Sequence, residues 1–315
     1  MSPVPARVVV ATDFGGPEVL AVVDQEVGDP GPGEVRLAVR AAGVNPIDVK
    51  VYSGTFGTDR SQLPRRLGSE AAGVVTAVGD GVDGVAVGEE VIAFRAPGAY
   101  ASELVAPADA IVAKPPALGW HEAACLLLVG GAAVHALTAT GVADGDTVLV
   151  HGGSGGVGLM AVQLARLRGA RVLATAGEDN HDLLRSLGAE PVAYGEGLAE
   201  RVHDLAPDGV DVALDLVGTD EAMDVSLALA TDRRRIASIA SFDRAPREGV
   251  LLLGNGPGAD PGQDVRYAAR PELARLAASG ELRVVIAGVF PFDRAAEAHR
   301  RIASGHTTGK LVLVP

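Results

Sequence analysis

Three glycines at fixed spacing, Gly153, Gly155 and Gly158, form a G-x-G-x-x-G, and the chemistry of that pattern is the holding of a diphosphate. The first glycine permits a tight turn. The second lets backbone N–H groups approach a pyrophosphate, and the third lets a helix pack close to a strand. Ser154, Gly156 and Val157 complete the loop, and the N-terminus of a following helix adds partial positive charge where the anion sits. The plain alternative is a glycine-rich turn in an ordinary α/β sheet. The flanks favour the dinucleotide. Thr147–Val150 reads as a strand, and Val157, Met160, Leu164 and Leu167 recur behind it at helical spacing on one side.

The residues downstream repeat that unit. Arg171–Ala176 reads as a second strand, Asp179–Leu187 as a helix stopped by Gly188, and Glu190–Tyr194 as a third strand. Val210–Val217 is a fourth strand, Thr219–Ala230 a helix and Arg235–Ala240 a fifth strand. Strands alternating with helices imply a parallel sheet covered on both faces. Ligands of such sheets bind beyond the carboxyl ends of the strands. That rule selects Gly153 to Gly156, Gly177 to Asn180, Tyr194, Val217 with Gly218, and Ala240 with Ser241 as lining. It places the basic run Arg233–Arg235 at the opposite end, so these arginines read as a solvated turn. Val250–Leu253 is either an edge strand or a buried one.

Ahead of the glycine loop the periodicity changes. Glu34–Arg40 alternates apolar and polar, and Gly73–Val78, Val91–Phe94, Tyr100–Val105 and Ala110–Ala113 read as short strands split by Gly and Pro. This is the pattern of an irregular antiparallel β domain. A boundary falls near Lys114-Pro115-Pro116, before a helix beginning around Trp120.

A chain of 315 residues suits two domains. Its net charge of −13 disfavours nucleic acid and anionic membranes as partners. The single cysteine, Cys125, excludes an internal disulfide and a cysteine-cluster metal site, and fits a reducing cytosol. The opening MSPVPARVVV has no long apolar segment behind a basic one, so no signal peptide is expected. No apolar run approaches the ~20 residues that span a bilayer. A cytoplasmic location is expected.

A family resemblance rests on motifs spread along the chain: FGGPEVL (Phe14–Leu20), PGPGEV (Pro30–Val35), AAGVNPIDVK (Ala41–Lys50), LGSEAAGVV (Leu67–Val75), GAYASE (Gly98–Glu103), HGGSGGVGLMAVQLA (His151–Ala165) and GKLVL (Gly309–Leu313). Together they make the chain similar to the quinone oxidoreductase (zeta-crystallin-like) branch of the medium-chain dehydrogenase/reductase superfamily, over nearly its whole length. The resemblance implies an α/β architecture: a GroES-like β-rich catalytic domain plus a Rossmann doubly wound parallel-sheet domain, with the site in the cleft. It divides the chain into residues 1–119, a nucleotide-binding insert 120–262 and a return segment 263–315, with a tail strand Lys310–Val314. Relatives dimerise by pairing nucleotide-domain edges, so the resemblance implies a homodimer, with Val250–Leu253 as a candidate edge.

Zinc-dependent relatives hold their metal with Cys, His and Cys. Read onto this chain, those positions are Asn45, Ser69 and Leu128, a poor donor set, and the seven histidines show no metal-ligand spacing. His135 and His151 read as packing or hydrogen-bonding residues. No metal is expected, which favours acceptors that take hydride without a Lewis acid, quinones and enones. The resemblance puts Asn45 and Lys50 on the active-site loop, where hydrogen-bond donors would stabilise an enolate or hydroquinone anion. Lys50, desolvated, would donate a proton or anchor the anion; otherwise its head reaches solvent or pairs with Asp48. Tyr52 and Phe56 are either walls of the acceptor pocket or plain core, and Leu128 is placed in that pocket.

The nucleotide choice stays open. Ala176-Gly177 lacks the acid of NAD enzymes, which points to NADPH. Many NADPH-using relatives read S-A-R-N-H where this chain reads Gly177-Glu178-Asp179-Asn180-His181, so an aspartate replaces the arginine. Tyr194 matches a family tyrosine that reaches the same phosphate, with Asn180, His181 and Arg185 as helpers. NADPH is expected, with NADH as the alternative. Other functions left open are an enoyl-thioester or natural-product enoyl reductase and a non-catalytic NAD(P)H-binding redox sensor. Gly131 and Ala132 depart from the Leu-Thr of relatives.

Overall fold

Short valine- and alanine-rich segments, each stopped by Gly or Pro, fold into antiparallel pairs in the first part of the chain. In a computed structural model, which describes residues 3–315, they form β1 (Val4–Ala11), β2 (Leu20–Val27), β3 (Glu34–Val44), β4 (Arg65–Arg66), β5 (Glu70–Val78), β6 (Glu90–Phe94), β7 (Glu103–Pro107) and β8 (Ile111–Ala113). There follow β9 (Thr147–His151), β10 (Arg171–Ala176), β11 (Glu190–Ala193), β12 (Val212–Asp215), β13 (Ile236–Ser238) and β14 (Leu251–Leu252). The chain closes with β15 (Ile286–Pro291) and β16 (Lys310–Val314), the latter as expected.

Contacts divide the chain into two units: one runs through Leu128 and resumes at Pro271–Pro315, and the other is Val129–Arg270. These limits lie beyond the expected 119/120 and 262/263. The helix Trp120–Ala124 packs on β3 and β5, which keeps it with the first unit. The helix Gln263–Ala268 stays with the second, where Arg266 Nη2 meets His135 Nδ1 at 3.2 Å.

The first unit holds a three-stranded sheet, β2-β1-β4, and a seven-stranded sheet, β15-β16-β3-β5-β6-β8 with β7 also on β3. Its core gathers Leu37, Tyr52, Tyr100, Leu104, Phe292, Leu311 and Leu313. Both leucines of β16 are fully buried, so the tail completes this core; such side chains contribute about 1.5–3 kcal/mol each. β3 runs past Arg40 because Ala41–Val44 is buried throughout. Its alternation also breaks at Arg36, a buried arginine bonded to Thr76 and paired with Asp29 and Glu103. The strand expected from Tyr100 begins only at Glu103, since Tyr100 gives its carbonyl to Val9 N–H of β1 instead (2.8 Å).

The second unit is one parallel sheet in the order β11-β10-β9-β12-β13-β14. Counted within the unit this is 3-2-1-4-5-6, the doubly wound order, and its switch point lies between β9 and β12. β14 is the edge, which settles the position of Val250–Leu253 within the sheet. The helix Gly156–Leu167 is buried continuously from Gly158 to Ala165 rather than on one stripe, and Leu167 is 40% exposed. β12 stops at Asp215, short of Val217, because Asp215 Oδ1 turns back to accept the N–H groups of Val217 and Gly218 (3.1 and 2.7 Å). β13 stops at Ser238, whose Oγ accepts from Ala240 and Ser241 (3.2 and 2.9 Å). Arg235 is not merely solvated: it donates to Asp146 Oδ2 (2.6 Å) and to the Thr140 carbonyl (3.0 Å). Among the described residues no helix is long and apolar enough to cross a membrane.

Candidate functional site

In the second unit, β9 delivers the chain into Gly152, whose φ of +77° makes it the residue that turns. Gly152 N–H donates to Thr175 Oγ1 (3.1 Å) and Gly153 N–H to the Thr175 carbonyl (2.8 Å), which fastens the loop to β10. A Cβ on Gly153 would lie 2.8 Å from Ala174 Cβ, and one on Gly158 would fall on the Gly152 carbonyl oxygen. These two are packing glycines. A Cβ on Gly155 would meet nothing nearer than that same oxygen, at 3.4 Å. Gly155 is therefore the position whose missing side chain leaves an approach open. It also caps the helix Gly156–Leu167 without a side-chain bond, so the first-turn N–H groups of Gly156, Val157 and Gly158 have no intrahelical acceptor. That turn is a ready anion site.

Tyr194 (57% exposed) and Val217 (47%) present large apolar surface. Ala240 is half-buried and Ser241 buried. Gly177 opens a turn over Glu178–Asn180 in which Glu178 and Asp179 are exposed while Asn180 is half-buried. His181 Nε2 lies 3.3 Å from the Ala176 carbonyl, and a Cβ on Gly177 would be 3.8 Å from Tyr194 Oη. Arg185, expected as a helper, is paired with Asp182 (2.7 Å). Arg201 gives its guanidinium to the carbonyls of Ala193, Gly195 and Glu196. His151, at the end of β9, is buried; burial pushes its pKa down to about 4 against the pull of Asp215, so it is neutral at pH 7.

In the first unit, the expected active-site loop leads into the helix Pro46–Tyr52. Asn45 is 1% exposed, and its side chain is fully committed. Nδ2 donates to Glu70 Oε1 (2.9 Å) and to the Gly43 carbonyl (3.4 Å), and Oδ1 accepts from Lys310 Nζ. Lys310 also donates to Glu70 Oε1 and to the Val44 carbonyl, each at 3.0 Å. Burial works against this ammonium, but Glu70 foremost raises its pKa above the ordinary lysine value. Glu70 Oε2 accepts the backbone N–H of Leu128 (3.0 Å). Asp48 Oδ2 accepts from Asn45 N–H (2.9 Å) and Tyr100 Oη (2.8 Å); burial pushes its carboxyl up to about 6 although both bonds favour the anion.

One expectation is corrected here, and two alternatives left open by the sequence are resolved. Asn45 has no side-chain donor to spare for an acceptor oxygen, against the expectation that it would offer one. Lys50 is exposed on the same helix, and Asp48 turns inward to Asn45 and Tyr100 rather than to it. Tyr52 is core, fully buried with its hydroxyl 2.9 Å from His299 Nδ1. Phe56 is 61% exposed and Leu128 half-buried. Glu70 and Lys310 were not singled out by sequence reasoning, and Asp48 was named there only as a partner for Lys50. The available signal was an acid and a lysine inside apolar strands, where charges are buried only in pairs.

Residues 31–116 match the alcohol dehydrogenase GroES-like domain family, and residues 187–313 the zinc-binding dehydrogenase family. A quinone oxidoreductase of Pseudomonas aeruginosa is 35% identical over 322 residues, covering 96% of this chain and 97% of that protein. The chain belongs to the quinone oxidoreductase branch of the medium-chain dehydrogenase/reductase superfamily. A solved structure of Escherichia coli quinone oxidoreductase complexed with NADPH superposes with a TM-score of 0.87 at 29% identity, covering 98% of this chain and all of that one. The phthioceranic/hydroxyphthioceranic acid synthase of Mycobacterium tuberculosis is 36% identical over 305 residues, covering 90% of this chain. The chain spans only 14% of that synthase's length.

Within this superfamily the donor set decides whether zinc fits. Asn45 is engaged by Glu70 and Lys310, Leu128 offers only a backbone N–H to Glu70, and Ser69 brings a hydroxyl. Among the described residues no group of three or more His, Cys, Asp or Glu side chains converges. An ammonium already neutralises Glu70, so a dication beside it would face a positive charge and no thiolate or imidazole. Cys125 is buried, and burial pushes its thiol up to about 12.

Proposed function

We propose that the protein is a zinc-independent, NADPH-dependent reductase that delivers hydride to a quinone or to an activated alkene such as an enone. The observation that carries the reading is the Asn45–Glu70–Lys310 network, which sets a buried ammonium among the positions where zinc relatives carry ligands. Without a Lewis acid an alkoxide is not stabilised, whereas a quinone or enone accepts hydride unaided. The nucleotide, when bound, supplies that hydride. Gly153, Ser154, Gly155, Gly156, Val157 and Gly158 would hold its diphosphate, and Val217, Ala240 and Ser241 would line the same edge. Gly177, Asn180, His181 and Tyr194 would meet the adenosine ribose. Asp179 in that turn keeps NADH as the alternative. Lys50, exposed on its helix, is the cation we assign to the developing anion, with Phe56 and Leu128 beside the acceptor. A homodimer through the β14 edge belongs to the same reading.

A second reading, reduction of an enoyl thioester, is favoured by the similarity to segments of polyketide synthases. The test is nucleotide oxidation by chelator-treated protein, NADPH against NADH, with a small quinone and a small enone. Turnover that survives chelation is expected, faster with NADPH. Activity that requires added zinc overturns the reading. Tight nucleotide binding without turnover moves the function to a redox sensor.

A further inference from the structure

Among the described residues, the buried side-chain nitrogens and oxygens without a hydrogen-bond partner belong to Arg66, Ser69, His151 and His299. An imidazole tolerates this by staying neutral. A guanidinium cannot: burial lowers the Arg66 pKa, yet an arginine remains charged in any protein. The neighbouring arginines are satisfied. Arg60 is paired with Asp13 (2.9 Å), and Arg65 donates to Gln62 Oε1 (3.0 Å). In a chain of net charge −13, Arg66 Nε and Nη2 meet no hydrogen-bonding carboxylate among the described residues.

Its placement is built rather than accidental. Arg66 lies in β4, in register with Val10 of β1. The backbone after it is pinned, with Leu67 and Gly68 carbonyls accepting from Tyr100 and Gly98 N–H (each 3.0 Å). Room for the guanidinium comes from Gly98, at φ +81°, where a Cβ would sit 3.0 Å from Arg66 Nε. Arg66 as a residue is only half-buried, while its Nε and Nη2 are themselves shielded from solvent. Three residues on, Ser69 presents its own unmet hydroxyl, and the next residue is Glu70 of the buried network. A charged fork and a hydroxyl, both without partners on one short stretch, match the donor pattern that takes an oxyanion.

We propose that Arg66, with Ser69 Oγ as second donor, recognises a carboxylate or phosphate carried by the acceptor. This rests on the reductase reading and narrows it to anionic acceptors, either acyl-acrylate-type carboxylates or phosphate-bearing thioesters.

The test uses the whole protein and three probes: 4-oxopent-2-enoate, its methyl ester, and inorganic phosphate. Calorimetric affinities are measured for wild type, Arg66→Met, Arg66→Lys and Ser69→Ala, together with kcat/KM for the two enones. The wild type is expected to favour the acid over the ester. Arg66→Met is expected to lower the acid-to-ester ratio by about tenfold to a hundredfold, the range for a charged hydrogen bond, with Arg66→Lys in between. Binding of phosphate but not of the acid assigns a phosphoryl group, and the converse a carboxylate. If Arg66→Met does not fold, Arg66→Lys and Ser69→Ala still decide through the same ratio. A wild type indifferent to charge, or variants with its ratio, overturn the proposal. Turnover of the ester without any Arg66 effect rejects the proposal and keeps the reductase. A charge preference in binding without turnover rejects the reductase and keeps Arg66.

Discussion

A lysine that is 3% exposed survives only when each of its three ammonium protons finds an acceptor, and Lys310 meets three: the Val44 carbonyl, Asn45 Oδ1 and Glu70 Oε1. Removing one partner of such a pair leaves the other charge buried and alone. Lys310→Met is therefore expected to destabilise the protein by about 3–5 kcal/mol in urea unfolding, because Glu70 keeps only the Asn45 amide and the Leu128 N–H. Adding Glu70→Gln removes the orphaned charge and is expected to recover a large part of the loss. A single variant within about 0.5 kcal/mol of wild type, the range of neutral surface changes, would show that the network carries little energy. The same residues explain what the sequence concealed. Asn45 stood out by its motif, but its amide is occupied by groups 25 and 265 positions away in the chain, and no local pattern reports such partners.

At the scale of elements, legibility followed the range of the interactions. The nucleotide loop was readable because its determinants are glycines within six positions, each answering a local steric demand. Even so, the turn belongs to Gly152, and Gly153 is there for Ala174 on the next strand. The strands β9 to β13 were readable in kind but too long at β12 and β13, since Asp215 and Ser238 divert the backbone into capped turns. β1 and β2 do not alternate, were not read as strands, and are made by pairing with each other. The loop yields a prediction that separates packing from binding. Gly155→Ala, with φ −72° and only the Gly152 carbonyl oxygen at a contact distance of 3.4 Å, is expected to shift thermal unfolding by less than about 2 °C, a fraction of a kcal/mol. It should weaken NADPH binding by about tenfold or more, by obstructing the approach to the helix N–H groups. Gly158→Ala is expected to cost about 1–3 kcal/mol of stability or more, because its methyl would overlap backbone atoms of both Gly152 and Gly153. Calorimetry with fluorescence titration of NADPH checks both; equal effects on stability and binding at the two positions would contradict the division.

For the whole molecule, the acid limb of stability is set by three buried groups that titrate in opposite senses. His151 in the second unit and His299 in the first have pKa values pushed down to about 4 by burial, against an ordinary 6.5. Asp48 is pushed up to about 6 from 3.8. Near pH 5 both histidines are neutral in the folded state and protonated in the unfolded one, so unfolding takes up two protons. Asp48 is protonated when folded and ionised when unfolded, so unfolding releases one. For these three groups the net uptake is one proton, so together they make stability rise with pH across that window, against the smaller opposing pull of Glu103, which burial also raises. Ion-paired carboxylates such as Asp146 and Glu190, held below the usual range by Arg235 and Arg171, act in the same direction at lower pH. The urea midpoint is therefore expected to climb from pH 4 to pH 6.5. The Asp48 contribution runs the other way, being present at low pH and lost as pH rises through about 6. Asp48→Asn keeps an acceptor for Asn45 N–H and Tyr100 Oη without the buried charge. Its stability relative to wild type should thus grow between pH 4 and pH 7, steepening the climb, and a variant whose advantage shrinks over that range would reverse the assignment of the inward carboxyl.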